Sequence, residues 1–477
     1  MSKFARLLCL ALAAPLAGCI GPSYERPLIE VPPDWRETDQ ANPAAAISPD
    51  WWRGFASDEL NRLIERASTA SFDIRAATAR IRQAEAQTEI AGASLFPSLT
   101  ANASGTRTKS PSTRLGTSST GAPVQSDTRI TNSFSVRATA AYELDFWGKN
   151  LNAARAGRAS LLASRYAGQT VRMTTVSTVA STYFQILALR ERLALARALL
   201  VDAEAVLRGI ELRARVGVAT VLDVAQQRTL VEGERAAIPA LERQLTQQID
   251  ALAVLLGMLP QQVTIDGASL DGIAAPQVEV GLPSTLLTRR PDVAQAEAEL
   301  VAGNANLRTA IAALFPSVSL TTTGGYSSQM LDTLINPTSR LWSLGASIAQ
   351  TIFDGGRLSG QVSQQRGRVE ELTANYQKAV VQAFSDVEDA LAAVRLSQAQ
   401  RTAQERVVQA AQEAYQAAEA RLRAGTIDTT TLLDAQRTLF NARDSLANAR
   451  LDYLQTIVTL YRVLGGGWSV QTAEAGS

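Results

Sequence analysis

The chain carries two copies of one long pattern, and this repetition limits its fold more than any other feature of the sequence. The segment FDIRAATARIRQAEAQTEIAGASLFPS, residues 72–98, aligns without a gap with PDVAQAEAELVAGNANLRTAIAALFPS, residues 291–317, at a constant offset of 219. Further along, RARVGVATVLDVAQQRTL (213–230) matches RLRAGTIDTTTLLDAQRTL (421–439), with one residue inserted in the second copy. A duplication explains both matches, so the two halves are expected to share one fold.

Each half predicts a helix, a pair of strands, a long helix, a turn and a final helix. The long helices are rich in Ala, Leu, Gln, Glu and Arg and contain no proline. At 1.5 Å per residue each is roughly 100 Å long, more than a compact domain needs. Their apolar residues recur at intervals of three and four residues, which favours packing of helices side by side. A simple coiled-coil rod has the same periodicity. The predicted boundaries are 57–257 for the first repeat, with its hairpin at 98–147 and its long helix at 150–215, and 284–463 for the second, with its hairpin at 317–353 and its long helix at 357–424.

The strand signal is clearest in SFSVRATAAYELDFWG, residues 133–148. Every even position from Phe134 to Phe146 is apolar, and five of the six odd positions between them are polar. This period of two predicts a strand with one apolar and one polar face. A soluble β-sandwich would show the same alternation. The intervening stretch 104–129 is rich in Gly, Ser and Thr and is expected to be an exposed loop.

The number of strands favours lipid as the surroundings of the apolar face. Four strands cannot close a cylinder, and in lipid each unpaired N–H or C=O group on an open edge costs several kcal/mol. Three chains would supply about twelve strands, an even number within the range of outer-membrane barrels. The polar face, including Arg137, Glu143 and Asp145, would then line the lumen. Aromatic residues occur near the predicted strand ends, where membrane barrels carry interfacial girdles; they are Phe96, Phe146, Trp147, Phe315, Tyr326, Trp342 and Phe353.

The N-terminus predicts export from the cytoplasm. Residues 1–18 combine a basic start with an apolar run that is too short to span a bilayer stably. The end of this run, LAGC, resembles the lipobox of bacterial lipoproteins, which implies cleavage after Gly18 and lipidation of Cys19. By the same resemblance, Ile20 implies sorting to the outer membrane. A plain signal peptide is the alternative interpretation.

Composition argues against catalysis and nucleic-acid binding. The sequence has no histidine, and its 46 basic and 45 acidic residues nearly cancel. It therefore lacks the commonest general base and metal ligand, and no basic excess indicates a nucleic-acid partner. No P-loop and no nucleophile elbow is present. We expect neither an enzyme nor a bound cofactor or metal.

Several motifs together resemble one family, the TolC-like outer-membrane factors of Gram-negative bacteria, in its lipidated NodT-type branch. They cover almost the whole mature chain, and the RRPDV…AE…FPS block is highly specific. The motifs are CIGPSYERP (19–27), WWRGFASDELNRLIERA (51–67), LLTRRPDVAQAEAELVAGNANLRTAIAALFPSVSL (286–320), FDGGR (353–357), LLDAQRTL (432–439) and LYRVLGGGW (460–468).

The resemblance implies an α+β membrane protein that works as a homotrimer. Twelve strands would form a transmembrane β-barrel, continued by a long periplasmic α-helical barrel. A mixed α/β equatorial girdle would take in residues 19–56, 258–283 and the C-terminal tail 464–477. The trimer would be anchored in the outer membrane by lipid and would extend into the periplasm.

The implied function is the exit duct of a tripartite efflux pump for small molecules. Its partners would be a periplasmic membrane-fusion adaptor and an inner-membrane resistance–nodulation–division pump. The exit duct of a type I protein-secretion system is one alternative, and a lipid-anchored coiled-coil scaffold of the envelope is another. The exported substrate is not encoded in any motif of the sequence.

The turns near Gly217 and Gly425 are the expected periplasmic tips. In the resembled family an acidic ring narrows the aperture just after the second turn. Asp428 is its nearest match, although it lies one residue later than in typical members. Converging carboxylates repel one another and attract cations. We therefore predict Asp428 as a gate residue, with Arg421, Arg423 and Asp223 as further gate candidates. A solvated carboxylate on the helix surface is the alternative for the gate, and ordinary helix caps are the alternative for the two turns. The predicted adaptor contacts are Arg215, Val216, Gly217, Val218, Arg423, Ala424, Gly425 and Thr426.

Overall fold

The structure is a computed structural model that describes residues 21–37, 47–111, 128–279, 281, 283–466 and 468. The predicted signal peptide 1–18 and the predicted lipidation site Cys19 lie outside the described residues. Contacts divide the chain into two units, which are treated separately below. The first contains residues 83–161 and 298–373, and the second contains 27–82, 162–297 and most of the chain from 374 onward.

Helices make up most of the described chain, and four strands lie among them. In chain order the elements are α1 (Asp58–Ala70), α2 (Phe72–Ala93), β1 (Ser98–Pro111), β2 (Thr128–Leu144), α3 (Lys149–Arg215), α4 (Val221–Leu255), α5 (Pro283–Arg289), α6 (Pro291–Ala312), β3 (Ser317–Ser328), β4 (Arg340–Ala349), α7 (Arg357–Arg423) and α8 (Thr429–Val463).

The helices of the two halves have equal lengths. Helices α2 and α6 have 22 residues each, α3 and α7 have 67 each, and α4 and α8 have 35 each. The helical region that opens each half is broken once, at Ser71 and at Arg290, two positions that differ by the same 219-residue offset. At the second break Pro291 disfavours helical geometry at the residue before it and cannot donate a backbone hydrogen bond.

The four strands form one antiparallel sheet in the order β1-β2-β3-β4. The prediction of an exposed loop over 104–129 is wrong at both ends, because β1 continues to Pro111 and β2 begins at Thr128. Ser and Thr side chains support the longer ladder: the Ser104 and Ser135 hydroxyls lie 3.0 Å apart. A stretch rich in Gly, Ser and Thr has the composition of a loop. Its backbone can still form the hydrogen bonds of a strand when the partner strand extends equally far.

The main hydrophobic core of the second unit joins motifs that are far apart in sequence. Trp51, from a 3-10 turn at Trp51–Phe55, stacks on Tyr461 of α8 with ring centroids 4.9 Å apart. Phe55 lies 5.0 Å from Phe184 of α3, and both side chains are fully buried. Burying each such side chain contributes about 1.5–3 kcal/mol. The WWRGF and LYRV motifs therefore build one core.

Arg290 is the centre of a buried ion network in the same unit. The side chain is only 8% exposed, and its Nη2 lies 2.6 Å from Asp292 and 3.0 Å from Asp386 of α7. It also donates to the carbonyl of Val463 in α8. Burial lowers the pKa of Arg290, but the hydrogen bonds and charges of the two carboxylates outweigh it and raise the pKa overall. The guanidinium thus joins the start of α6 to α7 and α8.

Gly465 shows why glycines follow α8. Its φ is +97°, and a Cβ at this position would lie 2.1 Å from the Arg289 carbonyl oxygen. Only glycine accepts both the left-handed conformation and this close backbone contact. The RRPD and LGGG motifs therefore contact each other through their backbones.

Candidate functional site

The sheet of the first unit separates its side chains into an apolar and a polar face. On one face the rows across the strands include Leu99, Ala140, Thr322 and Leu344, and Leu144, Val318 and Ile348. On the other face the rows include Thr100, Thr139, Thr323 and Ser343, and Ser104, Ser135 and Ser327. The register thus divides the residues of β2 between two faces as the sequence predicted, and it extends this division to all four strands.

The described part of the chain leaves the apolar face uncovered. Trp342 is 83% exposed and Ile348 is 74% exposed, and Leu99 and Leu344 are similarly exposed. Strands β1 and β4 each pair with one strand only among the described residues. A sheet with an exposed apolar face and two unpaired edges is not a finished soluble structure.

Aromatic side chains lie where the strands meet the helices. The Trp147 indole N–H donates to the Pro316 carbonyl at 2.7 Å, and its ring stacks on Phe315 at 5.0 Å. Phe353, just beyond β4, is 89% exposed. Rings with one apolar side and a satisfied polar atom are typical of a membrane–water boundary.

In the second unit, each long helix ends in the same glycine turn. Gly217 has φ +81°, its N–H donates to Ala214, and the N–H of Val218 donates to Arg213. Gly425 has φ +70°, its N–H donates to Leu422, and the N–H of Thr426 donates to Arg421. These bonds form the Schellman motif, in which glycine accepts the left-handed conformation after a helix.

The helix after the first turn begins with a capping box. The Thr220 hydroxyl accepts from the Asp223 N–H at 3.2 Å, and the Asp223 carboxylate accepts from the Thr220 N–H at 2.8 Å. The backbone hydrogen bond from Thr220, aided by its hydroxyl, holds the pKa of Asp223 below its usual 3.8, although the charge of Asp428 opposes this shift.

The second turn uses the same residue types in the opposite order. Asp428 is the N-cap of α8 and accepts from the Thr431 N–H at 2.9 Å and from the Thr431 hydroxyl at 2.6 Å. These two bonds, the hydroxyl first, lower the pKa of Asp428 from 3.8. Arg423 pairs with Glu419 and not with Asp428. The carboxylate proposed as a gate is therefore ionised, exposed and held in one position.

The surfaces of the two turns differ. The first turn exposes four aliphatic side chains, of which Val218 is 73% and Val221 is 86% exposed; the set is Val216, Val218, Val221 and Leu222. The second turn exposes Ala424, Gly425, Thr426 and Asp428. Arg215, Arg421 and Arg423 are also exposed. Every predicted tip residue thus lies at the surface of a turn.

Sequence reasoning missed two residues of the first turn, Val221 and Leu222. Both lie in the first turn of α4, where their spacing resembles an ordinary helix start. The helix pattern gave no sign that these side chains face away from the packed side. It also gave no sign that the cap residues Thr and Asp change places between the two turns.

Among the described residues, neither the turns nor the sheet carries a metal centre. Within the described ranges no group of three His, Cys, Asp or Glu side chains is arranged to hold a metal ion. No described helix is both long and apolar enough to cross a membrane.

Comparison with known proteins gives consistent matches along almost the whole chain. The family model for outer membrane efflux proteins matches residues 63–258 and 282–466. The pyoverdine export outer membrane protein OpmQ of Pseudomonas aeruginosa is 40% identical over 97% of each chain. The toluene efflux pump outer membrane protein TtgC of Pseudomonas putida is 34% identical, over 98% of this chain and 97% of its own. The solved structure of the outer-membrane channel OprN superimposes with a TM-score of 0.87 and 27% identity, over 94% of this chain and 99% of its own.

Proposed function

The chain belongs to the outer membrane efflux protein family, and we propose that it forms the outer-membrane exit duct of a tripartite efflux pump. As a member of this family it is a channel protein and not an enzyme. Homologues export substances as different as pyoverdine and toluene. The cargo is therefore proposed only as small molecules delivered by a pump.

One observation carries this proposal: the four-stranded sheet has an exposed apolar face and two edges without a partner among the described strands. In hydrocarbon each unpaired backbone group costs several kcal/mol. Pairing β4 of one chain with β1 of the next removes every edge once the ring closes. Three chains give about twelve strands, a number that transmembrane barrels use.

The remaining architecture follows from the same proposal. The long helices α3, α4, α7 and α8 of three chains would form the periplasmic α-helical barrel. A girdle would include residues 19–56, 258–283 and 464–477, and a lipid on Cys19 would add an anchor. A periplasmic adaptor would contact the glycine turns, and an inner-membrane resistance–nodulation–division pump would supply the cargo. Asp428 would gate the aperture.

Two measurements test the duct and its stoichiometry. Protein extracted in mild detergent should have the mass of three chains by light scattering, and the same material should conduct ions in planar bilayers. A monomer that still conducts would refute the ring of three. A trimer that neither conducts nor swells liposomes would instead favour the envelope scaffold.

A further inference from the structure

The polar face of the sheet carries more positive than negative charge. The register places three charged residues of the four strands on this face: Arg129 opposite Ser110, Arg137 opposite Asn102, and Glu143 opposite Ser319. Its other residues are uncharged, mostly Ser, Thr, Asn and Gly. The remaining strand cations, such as Arg107, alternate onto the opposite face.

The one carboxylate that the described strands place on this face is already neutralised. Glu143 Oε1 lies 2.8 Å from Lys149 Nζ, and both side chains are about one-third exposed. Asp145, just beyond the strand, accepts from the Leu151 N–H at 2.7 Å at the start of α3. The positive end of that helix therefore compensates its charge. The helix end of the polar face is close to neutral.

The two arginines have no such compensation from the described residues. Neither Arg129 nor Arg137 makes an ion pair or a side-chain hydrogen bond with any residue that the structure describes, and both are exposed. Arg137 has no side chain opposite it on β3, because its neighbour there is Gly325. A Cβ at Gly325 would lie 2.2 Å from the Val136 carbonyl oxygen, so only glycine fits the close approach of the two backbones at this position. The guanidinium of Arg137 is thus accessible from the polar face.

We propose that this face gives the lumen of the barrel an anion site for multivalent phosphate or carboxylate groups, with two separate positions at Arg129 and Arg137, which lie about 27 Å apart along β2 at about 3.4 Å per residue. The inference rests on the proposed function, because it needs three chains to close a lumen. Each chain would contribute two uncompensated guanidiniums and one neutral Glu143–Lys149 pair. Guanidinium is suited to such ligands because its planar fork binds phosphate and carboxylate oxygens in pairs.

Screening determines which anions respond. At physiological salt the Debye length is about 8 Å, so wall charges act only on ions near the wall; at about 0.01 M it is about 30 Å. Coulomb energy scales with the charge of the ion. Multivalent anions should therefore respond strongly and chloride only weakly, and both effects should fade as salt increases.

Current block by inorganic tripolyphosphate tests the proposal. The purified full-length channel is placed in planar bilayers at low salt, and the probe is added to each compartment in turn. We expect brief current blocks whose frequency falls on the order of tenfold in the double variant Arg129→Gln, Arg137→Gln. Arg137→Lys should keep the block frequency, since the charge remains, but shorten each block because the fork is lost.

Arg107→Gln is the matched control. It removes one strand cation from the opposite face, and every variant keeps the helix turns unchanged, so any selectivity of the turns cancels. Wild-type current with no block, or equal block in the double variant, would overturn the anion site and leave the duct intact. Loss of block in Arg107→Gln would also overturn it. The absence of current in every variant would contradict the proposed function itself.

Discussion

The two glycine turns, at 213–223 and 421–431, have the same backbone and different surfaces. Both end a 67-residue helix in a Schellman motif, and both start the next helix with a Thr–Asp pair. The first turn uses Thr as the cap and exposes four aliphatic side chains, whereas the second uses Asp and is polar. The comparison indicates that glycine and the cap determine the turn, while the exposed positions are free to specialise. We infer that the first turn provides apolar adaptor contact and the second provides charge at the aperture.

The largest expected effect is at the first turn. Val218→Asp should weaken adaptor binding on the order of a hundredfold, because an unpaired carboxylate buried in an apolar contact costs several kcal/mol. Thr426→Asp, one residue after the glycine of the second turn, is the matched control and should have little effect. Affinity for the cognate adaptor, measured on immobilised channel, checks both variants. Equal losses in the two would remove the proposed division of roles.

The glycines themselves should behave alike. Gly217→Ala and Gly425→Ala each force a residue with a Cβ into a left-handed conformation, which costs roughly 1–2 kcal/mol. Arginines flank both turns, so trypsin should cleave each variant turn roughly 5–30 times faster when the turn opens locally. A change at one glycine only would show that the shared backbone is not equally important in the two turns.

Two substitutions at Asp428 distinguish a role in gating from a role in capping the helix. Asp428→Asn removes the charge but keeps a good N-cap, whereas Asp428→Ala removes both. If the carboxylate acts on the aperture, both variants should lose cation preference in planar bilayers by a few-fold. Asp223→Asn should change it less. A loss in the alanine variant alone would assign Asp428 to capping.

Acidification should have the smallest effect. The pKa values of Asp223 and Asp428 are lowered in the folded protein, so the stability they contribute is present above the unfolded value of 3.8 and is lost as pH falls below it. The sequence has no histidine that would titrate nearer neutrality. Conductance and cation preference should therefore stay constant from about pH 8 to pH 5. A transition within that window would require another titrating group at the turns.

Local sequence patterns predicted the regular elements well, for physical reasons. Period two and period 3.6 directly reflect which faces of a strand or helix are apolar, so the faces of β2 and the course of α3 could be predicted. The extension of β1 to Pro111 could not, because Ser, Gly and Thr pair as backbone without an apolar signal. The break of the helix at Ser71 could not be predicted either, because no proline follows it.

The candidate site was less predictable because its properties depend on partners. The sequence marked Gly217, Gly425 and Asp428, since turns need glycine and helices need caps. It could not show that Arg423 pairs with Glu419 or that Asp428 is held by Thr431. The role of Arg290 could not be predicted from the sequence either, because its hydrogen-bond acceptors Asp386 and Val463 belong to helices far along the chain.

The Arg290 network has a consequence for the order of events during biogenesis. One acceptor of this guanidinium, Val463, lies 173 residues later in the chain. An exported polypeptide emerges from its N-terminus, so the cation enters the periplasm well before that carbonyl does. We expect the surrounding region to stay open and hydrated until the last helix has been delivered. This region would thus fold only after the whole chain has crossed the inner membrane, and truncated chains would not complete it.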